Sequence, residues 1–121
     1  MGSEMCIRDR YAVDRLGSNL IVVMGHEACG AVKSAISALN DTDSASPTMT
    51  TLLNDLKPRL QQYASKQLSA GVLEESWTNV NGISHDLLER SQILRDAVAS
   101  GEVKIVRAMY HMESGNVEWQ Q

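Results

Sequence analysis

Phenylalanine is absent from these 121 residues, and two tryptophans and three tyrosines supply every aromatic ring. A chain so poor in rings offers no stacking platform for single-stranded nucleic acid. Its formal charge of −4 and the lack of any Lys/Arg cluster also exclude a face that neutralises phosphates. No apolar run approaches the roughly 20 residues of a spanning helix, since the longest ends at Gly25, and no signal-peptide pattern opens the chain. Two cysteines, Cys6 and Cys29, allow at most one bridge, too few for a secreted disulfide scaffold. These absences lead us to expect a cytoplasmic protein with reduced thiols, no nucleic acid and no membrane. Its partners would be small molecules or further copies of itself. A 43% hydrophobic content supports one domain, with a core of Leu, Ile, Val, Ala and Met.

Residues 1–10 show neither a helical nor a strand period and are set aside as a foreign or disordered leader, leaving 11–121 as the domain. Glu4–Arg10 reads like the translation of a transposon-end sequencing adapter, which the gene recovered from its source DNA would test. Ala12, Val13 and Leu16 fall on one helical face, with Gly17 placed to stop that helix. Leu20–Met24 is a continuous apolar run, as in a parallel strand covered on both faces. A helix follows over about residues 28–39, with Val32, Ala35, Ile36 and Leu39 inward, and then a polar loop from Asn40 to Ser46.

Ser46-Pro47 is an N-cap followed by proline at the first helical position. The helix it opens carries Leu52, Leu53, Leu56, Leu60 and Tyr63 as its buried stripe, with a bend expected at Pro58. A second long helix starts near Gly71, carries Leu73, Trp77, Val80, Leu87 and Leu88 at near-helical spacing, and is weakened by Gly82 by about 1 kcal/mol relative to alanine. Ser91 caps a shorter helix bearing Ile93, Leu94, Ala97 and Val98 that Gly101 ends. Val103–Met109 reads as a strand, and the turn Glu113–Asn116 leads into Val117–Trp119, predicting an antiparallel hairpin at the sheet edge. The fold class is therefore α/β, a mostly parallel sheet flanked by helices.

Chemistry concentrates where the first strand turns into a helix, at Gly25-His26-Glu27-Ala28-Cys29-Gly30. An imidazole and a thiol three residues apart suit zinc better than calcium or magnesium. The carboxyl end of a strand is also where α/β folds place their ligands. Cys29 near the helix start feels unsatisfied backbone N–H groups that favour its thiolate, and Gly30 leaves room for close approach. The plain alternative is a buried cysteine acting as a small hydrophobe. Gly25 and Gly30 fit no phosphate-loop pattern.

The wider pattern resembles the β-class carbonic anhydrases. The resemblance rests on Tyr11-Ala12-Val13, on Leu20 through Val32 with its H-x-x-C-G-A-V core, on Asn79-Val80, Ile93-Leu94 and Gly101–Val106, and on Tyr110–Trp119 as the terminal hairpin. It implies a zinc lyase interconverting carbon dioxide and bicarbonate, with His26 and Cys29 as two metal ligands, working as a homodimer or higher homo-oligomer. The family's further ligand is a cysteine in a C-x-D-x-R segment, whose Asp/Arg pair shapes the metal's fourth position. No such segment occurs in this chain, and Cys6, in Cys6-Ile7-Arg8-Asp9-Arg10, lacks its spacing. The chain thus reads as a C-terminal, N-terminally truncated part of the fold that exposes apolar sheet surface and holds zinc weakly. A carbonyl sulfide or carbon disulfide hydrolase of the same fold, and a metal-free binding or assembly module, are the alternatives.

Other polar groups read as structural. His85 and His111 are expected to be solvated or hydrogen-bonded. Asp41 and Asp43 are taken as loop charges, and Glu74, Glu75, Asp86 and Glu89 as the wet faces of helices. Met5, Met24, Met49, Met109 and Met112 read as fillers, and Trp77 and Trp119 as packing anchors.

Overall fold

The computed structural model describes residues 2–40 and 46–120, with side chains described for 7–39 and 46–120. Asn40 closes a helix, and the polar loop at 41–45 lies outside the described residues, as do the side chains of Met5 and Cys6. Five helices and three strands follow in the order α1 (Gly2–Leu16), β1 (Leu20–His26), α2 (Gly30–Asn40), α3 (Pro47–Leu60), α4 (Leu73–Arg90), α5 (Gln92–Ala99), β2 (Lys104–Tyr110) and β3 (Val117–Gln120). The sheet order is β1-β2-β3. β1 and β2 are parallel, in register from Leu20 with Lys104 to His26 with Tyr110, and β3 returns antiparallel with Trp119 opposite Ala108. The expected α/β class and edge hairpin are therefore present.

Local chemistry sets the boundaries. The Met49 N–H donates to Ser46 Oγ at 3.3 Å ahead of Pro47, and the Leu94 N–H donates to Ser91 Oγ at 3.3 Å, so both anticipated N-caps form. Gly17 and Gly101 take positive φ directly after α1 and α5. At its other end α1 starts at Gly2, so the helix takes in residues 2–10, which periodicity left outside the domain. Pro58 lies in the last turn of α3, which gives way to a one-turn 3-10 segment at Gln61–Tyr63.

Two apolar clusters form. One joins Val32, Ala35 and Ile36 of α2 to Leu53, Leu56 and Leu60 of α3, with Tyr63 and Val72. The other packs Leu87 of α4 and Leu94 of α5 against Val13, Ile21 and Val23. α3 and α4 are also bridged by Arg59, whose guanidinium bonds Asn79 Oδ1 (2.8 Å), Asp86 (3.0 Å) and Asp55 (3.0 Å). A Cβ on Gly82 would lie 2.5 Å from Arg59 Cδ, so this glycine is what admits the arginine across α4.

Three expectations are corrected. β1 is not covered on both faces: its exposure alternates, and Leu20, Val22 (41% exposed) and Met24 (50%) stand open while Ile21, Val23 and Gly25 turn toward α4. A strand buried on one face alternates, and the helices of this chain shield one face. Trp119 (58% exposed) and Met112 are not packing anchors or fillers but lie at the surface, as does Met49, whereas Met109 is fully buried. Glu75 is not on a wet helix face: it is 1% exposed, and Asp86 is held in the Arg59 network.

Candidate metal centre at the end of the first strand

His26 ends β1 and Gly30 begins α2, leaving a three-residue turn whose conformation is fixed from outside. The Glu27 N–H donates to the Tyr110 carbonyl at 3.2 Å, tying the turn to the end of β2. Ala28 takes φ 55°, a left-handed conformation that costs a non-glycine residue about 1–2 kcal/mol. Its N–H donates to the Gly71 carbonyl at 2.6 Å, which holds it there. The Cys29 carbonyl then accepts the Lys33 N–H at 3.1 Å, the first helical bond of α2.

The Gly71 carbonyl is presented by a strained turn. Gly71 and Val72 both have positive φ, at 64° and 52°. The turn is anchored by the buried Glu75, whose carboxylate accepts the Ser69 N–H at 2.8 Å and the Ser69 hydroxyl at 2.5 Å, while Ser69 Oγ accepts the Glu74 N–H. Burial pushes the Glu75 carboxyl up, but the bonds from Ser69 outweigh it and hold the group below the ordinary carboxylate range. Glu75 thereby reaches the candidate site through Ser69, Gly71 and Ala28.

His26 is exposed, and its Nδ1 lies 2.9 Å from the Glu27 carbonyl oxygen. A carbonyl oxygen only accepts, so this bond requires the proton on Nδ1, and in the neutral ring Nε2 then keeps its lone pair for an electrophile or metal. Beside it a cavity of about 400 Å³ is lined by Met24, Gly25, Tyr110 and Met112. Cys29 is a free, half-buried thiol packed against the α2/α3 cluster. The tightly packed glycine is Gly25 rather than Gly30: a Cβ on Gly25 would lie 2.6 Å from Val80 Cγ2, whereas one on Gly30 meets nothing within 4 Å.

A second cluster, which sequence periodicity passes over, flanks the turn. His111 Nε2 lies 3.0 Å from Glu118 and Nδ1 3.5 Å from Glu27, whose other oxygen accepts the Glu113 N–H at 3.3 Å. Hydrogen bonding to Glu118 raises the His111 pKa, opposed by partial desolvation and helped by Glu27; the Glu113 N–H is the main cause holding Glu27 low. Glu27 and His111 are far apart in sequence, and only the β1–β2 pairing brings them together. His85 pairs with Glu89 on an exposed helix face, as a structural histidine would.

The carbonic anhydrase family profile matches residues 7–117. The chain belongs to the carbonic anhydrase family. It is 35% identical over 108 residues to a carbonic anhydrase of Mycolicibacterium smegmatis, a match covering 89% of this chain and 52% of that one. It is 31% identical over 105 residues to carbonic anhydrase 2 of Mycobacterium tuberculosis, covering 87% and 50%. The fold is similar to a tetrameric β-carbonic anhydrase of Sordaria macrospora at TM-score 0.78, with 22% identity and coverage of 96% of this chain and 59% of that one. The chain spans about half the length of the curated relatives it matches.

The family implies zinc, and the residues meet that requirement in part. The imidazole tautomer and the free thiol are the right donor types. Their number is short, because among the described residues no three His, Cys, Asp or Glu side chains gather as a metal-holding group.

Proposed function

We propose that this chain carries the His26/Cys29 portion of a zinc centre for the reversible hydration of carbon dioxide to bicarbonate, with a third donor from outside the described residues. Bound zinc supplies a hydroxide-generating Lewis acid at neutral pH. The chain's own residues orient the ligands. Glu27's carbonyl holds the imidazole in the Nε2-free tautomer, and Gly71's carbonyl holds Ala28 in the turn that leads to Cys29. Met24, Met112 and the Tyr110 ring offer an apolar wall next to His26, suited to a small uncharged substrate. Bicarbonate would leave through the same open mouth.

The observation that carries this reading is the contact of His26 Nδ1 with the Glu27 carbonyl at the carboxyl end of a parallel strand, within a family match that spans nearly the whole chain. We further propose a homo-oligomer, because the open sheet face and the exposed β1 edge are apolar surfaces that a second copy would cover, and a cytoplasmic location, in keeping with the chain's low cysteine content.

Elemental analysis and stopped-flow carbon dioxide hydration test the proposal on this chain and on its parent gene product. Zinc below one per chain here, lost on His26→Ala or Cys29→Ser, together with hydration by the parent that fails in His26→Ala, is the expected result. Zinc content indifferent to both substitutions overturns the ligand assignment. A parent with no zinc at all is the outcome of a metal-free assembly module.

A further inference from the structure

The cavity beside His26 is walled by two thioethers as well as the imidazole, since Met24 and Met112 both line it. All three side chains are exposed and open to an ion from solvent. Met24 and His26 are two residues apart on β1, so their side chains leave the same face of the sheet roughly 7 Å apart. Tyr110 pairs with His26 across β1 and β2, and Met112 follows it by two residues. Methionine has three rotatable side-chain bonds, so each sulfur can swing toward the imidazole. Packing does not account for the pair: Met109, one residue before Tyr110, is fully buried, whereas Met24 and Met112 stand half open.

No carboxylate and no thiol lines this cavity, and Cys29 packs against the α2/α3 cluster instead. Two uncharged thioethers with one imidazole are too soft a set for calcium or magnesium and lack the anionic donors that a divalent ion favours. We infer that Met24 Sδ, Met112 Sδ and His26 Nε2 form a trigonal site for a soft monovalent cation, Cu(I) or its analogue Ag(I). The Tyr110 ring on the same wall adds an aromatic face, which attracts cations. The site uses neither Cys29 nor a donor from outside the described residues, and it shares only His26 with the proposed zinc centre. Where zinc is held there, the two ions compete for one nitrogen lone pair, and that consequence alone rests on the zinc reading.

The probe is Ag(I), titrated in chloride-free buffer at mildly alkaline pH into the 121-residue chain carrying Cys6→Ser and Cys29→Ser, since thiols would capture it first. An equimolar amount should shift the ε-methyl resonances of Met24 and Met112 together with the ring resonances of His26. Met49, exposed on α3, and the buried Met109 should not move. Met24→Leu, Met112→Leu and His26→Ala should each weaken Ag(I) at least about tenfold, the cost of disturbing even an indirect support of a metal ligand. Leucine keeps the volume of methionine, so the fold survives the first two changes. Should the double serine variant fail to fold, the chain with both thiols serves, where the same methyl shifts should follow saturation of the thiols. Shifts at Met49 as large as at Met24, or an affinity unchanged by either leucine substitution, overturns the site. Zinc content in Cys29→Ser decides the other reading, so the failure of one is told apart from the failure of the other.

Discussion

The two faces of the sheet are built from the same alphabet and live in different surroundings. On β1, Ile21 and Val23 lie under α4 and α5 with Leu87 and Leu94, while Leu20, Val22 and Met24 on the other face are about half exposed. On the open face Ala108 is the exception, fully buried between register partners Met24 and Trp119. A residue's hydrophobicity therefore states that a surface is fit to be covered, and only the number of helices available decides whether it is. The covered face should carry stability, and the open face should carry association.

The largest effect is expected on the covered side. Leu94 is fully buried against Leu87, Val13, Ile21 and Val23, so Leu94→Ala should lower unfolding free energy by about 2–5 kcal/mol. Thermal or urea denaturation measures it, and a loss under about 0.5 kcal/mol, the size of a surface change, would show that this face is not a core. Gly25→Ala comes next, at about 1–3 kcal/mol, because the added methyl meets Val80 Cγ2 and, at 3.3 Å, Met109 Cε. Combining it with Val80→Ala should give less than the sum of the two losses, and strict additivity would deny the contact.

Glu75→Gln tests how the covered side holds the candidate centre. Losing one acceptor toward Ser69 should cost about 1 kcal/mol. More telling is the Ala28 amide, whose hydrogen exchange should quicken because Gly71 no longer presents its carbonyl as firmly. Unchanged exchange at Ala28 would separate Glu75 from the His26–Cys29 turn.

Much of this architecture is legible in the sequence because it is local. The Ser46 and Ser91 caps, the glycine stops at Gly17 and Gly101, the inward stripe Val32-Ala35-Ile36 and the terminal hairpin all depend on neighbours a few residues away. The H-x-x-C spacing is local too, which is why His26 and Cys29 stand out in the linear chain. What the sequence hides is set at a distance. The Leu20–Met24 run looks doubly buried because every residue in it is apolar, and nothing in it counts the helices that will arrive. Glu75 looks like one more helix-surface acid, because its partner Ser69 sits across a strained turn that helical periodicity does not register. The Glu27–His111–Glu118 cluster depends on contacts across a separation of 86 residues, such as the one that brings Glu27 to the Glu113 amide.

That cluster gives a pH dependence with a definite sign. His111, its pKa raised, contributes stability that is fully present below the ordinary imidazole value and is lost as pH rises through its folded value. Glu27, its pKa lowered, contributes above the ordinary carboxylate value and loses that contribution as pH falls through its folded one. The hairpin junction should be firmest at roughly pH 4.5–6.5, between the two ordinary values. Exchange of the His111 amide, bonded to the Asn116 carbonyl at 2.8 Å, reports on it. The wild type should exceed His111→Gln in protection inside that window and converge with it in mild alkali, whereas a pH-independent difference would remove the charge pairing from the account.

The smallest effect, that of Val22→Thr, belongs to the most direct comparison of the two faces, since Val22 and Val23 are adjacent, chemically identical and turned opposite ways. Val23→Thr places a hydroxyl against Leu87 and Leu94 and should cost about 1–2 kcal/mol. Val22→Thr, on a residue 41% exposed, should stay within about 0.5 kcal/mol in dilute solution. Protein concentration then becomes the variable that matters. If copies of the chain pair through the open face, the cost of Val22→Thr should grow with concentration, because the wild type gains stability from association that the threonine weakens. Equal costs at both positions at every concentration would mean the open face is covered within the single chain, and the contrast between the faces would fail.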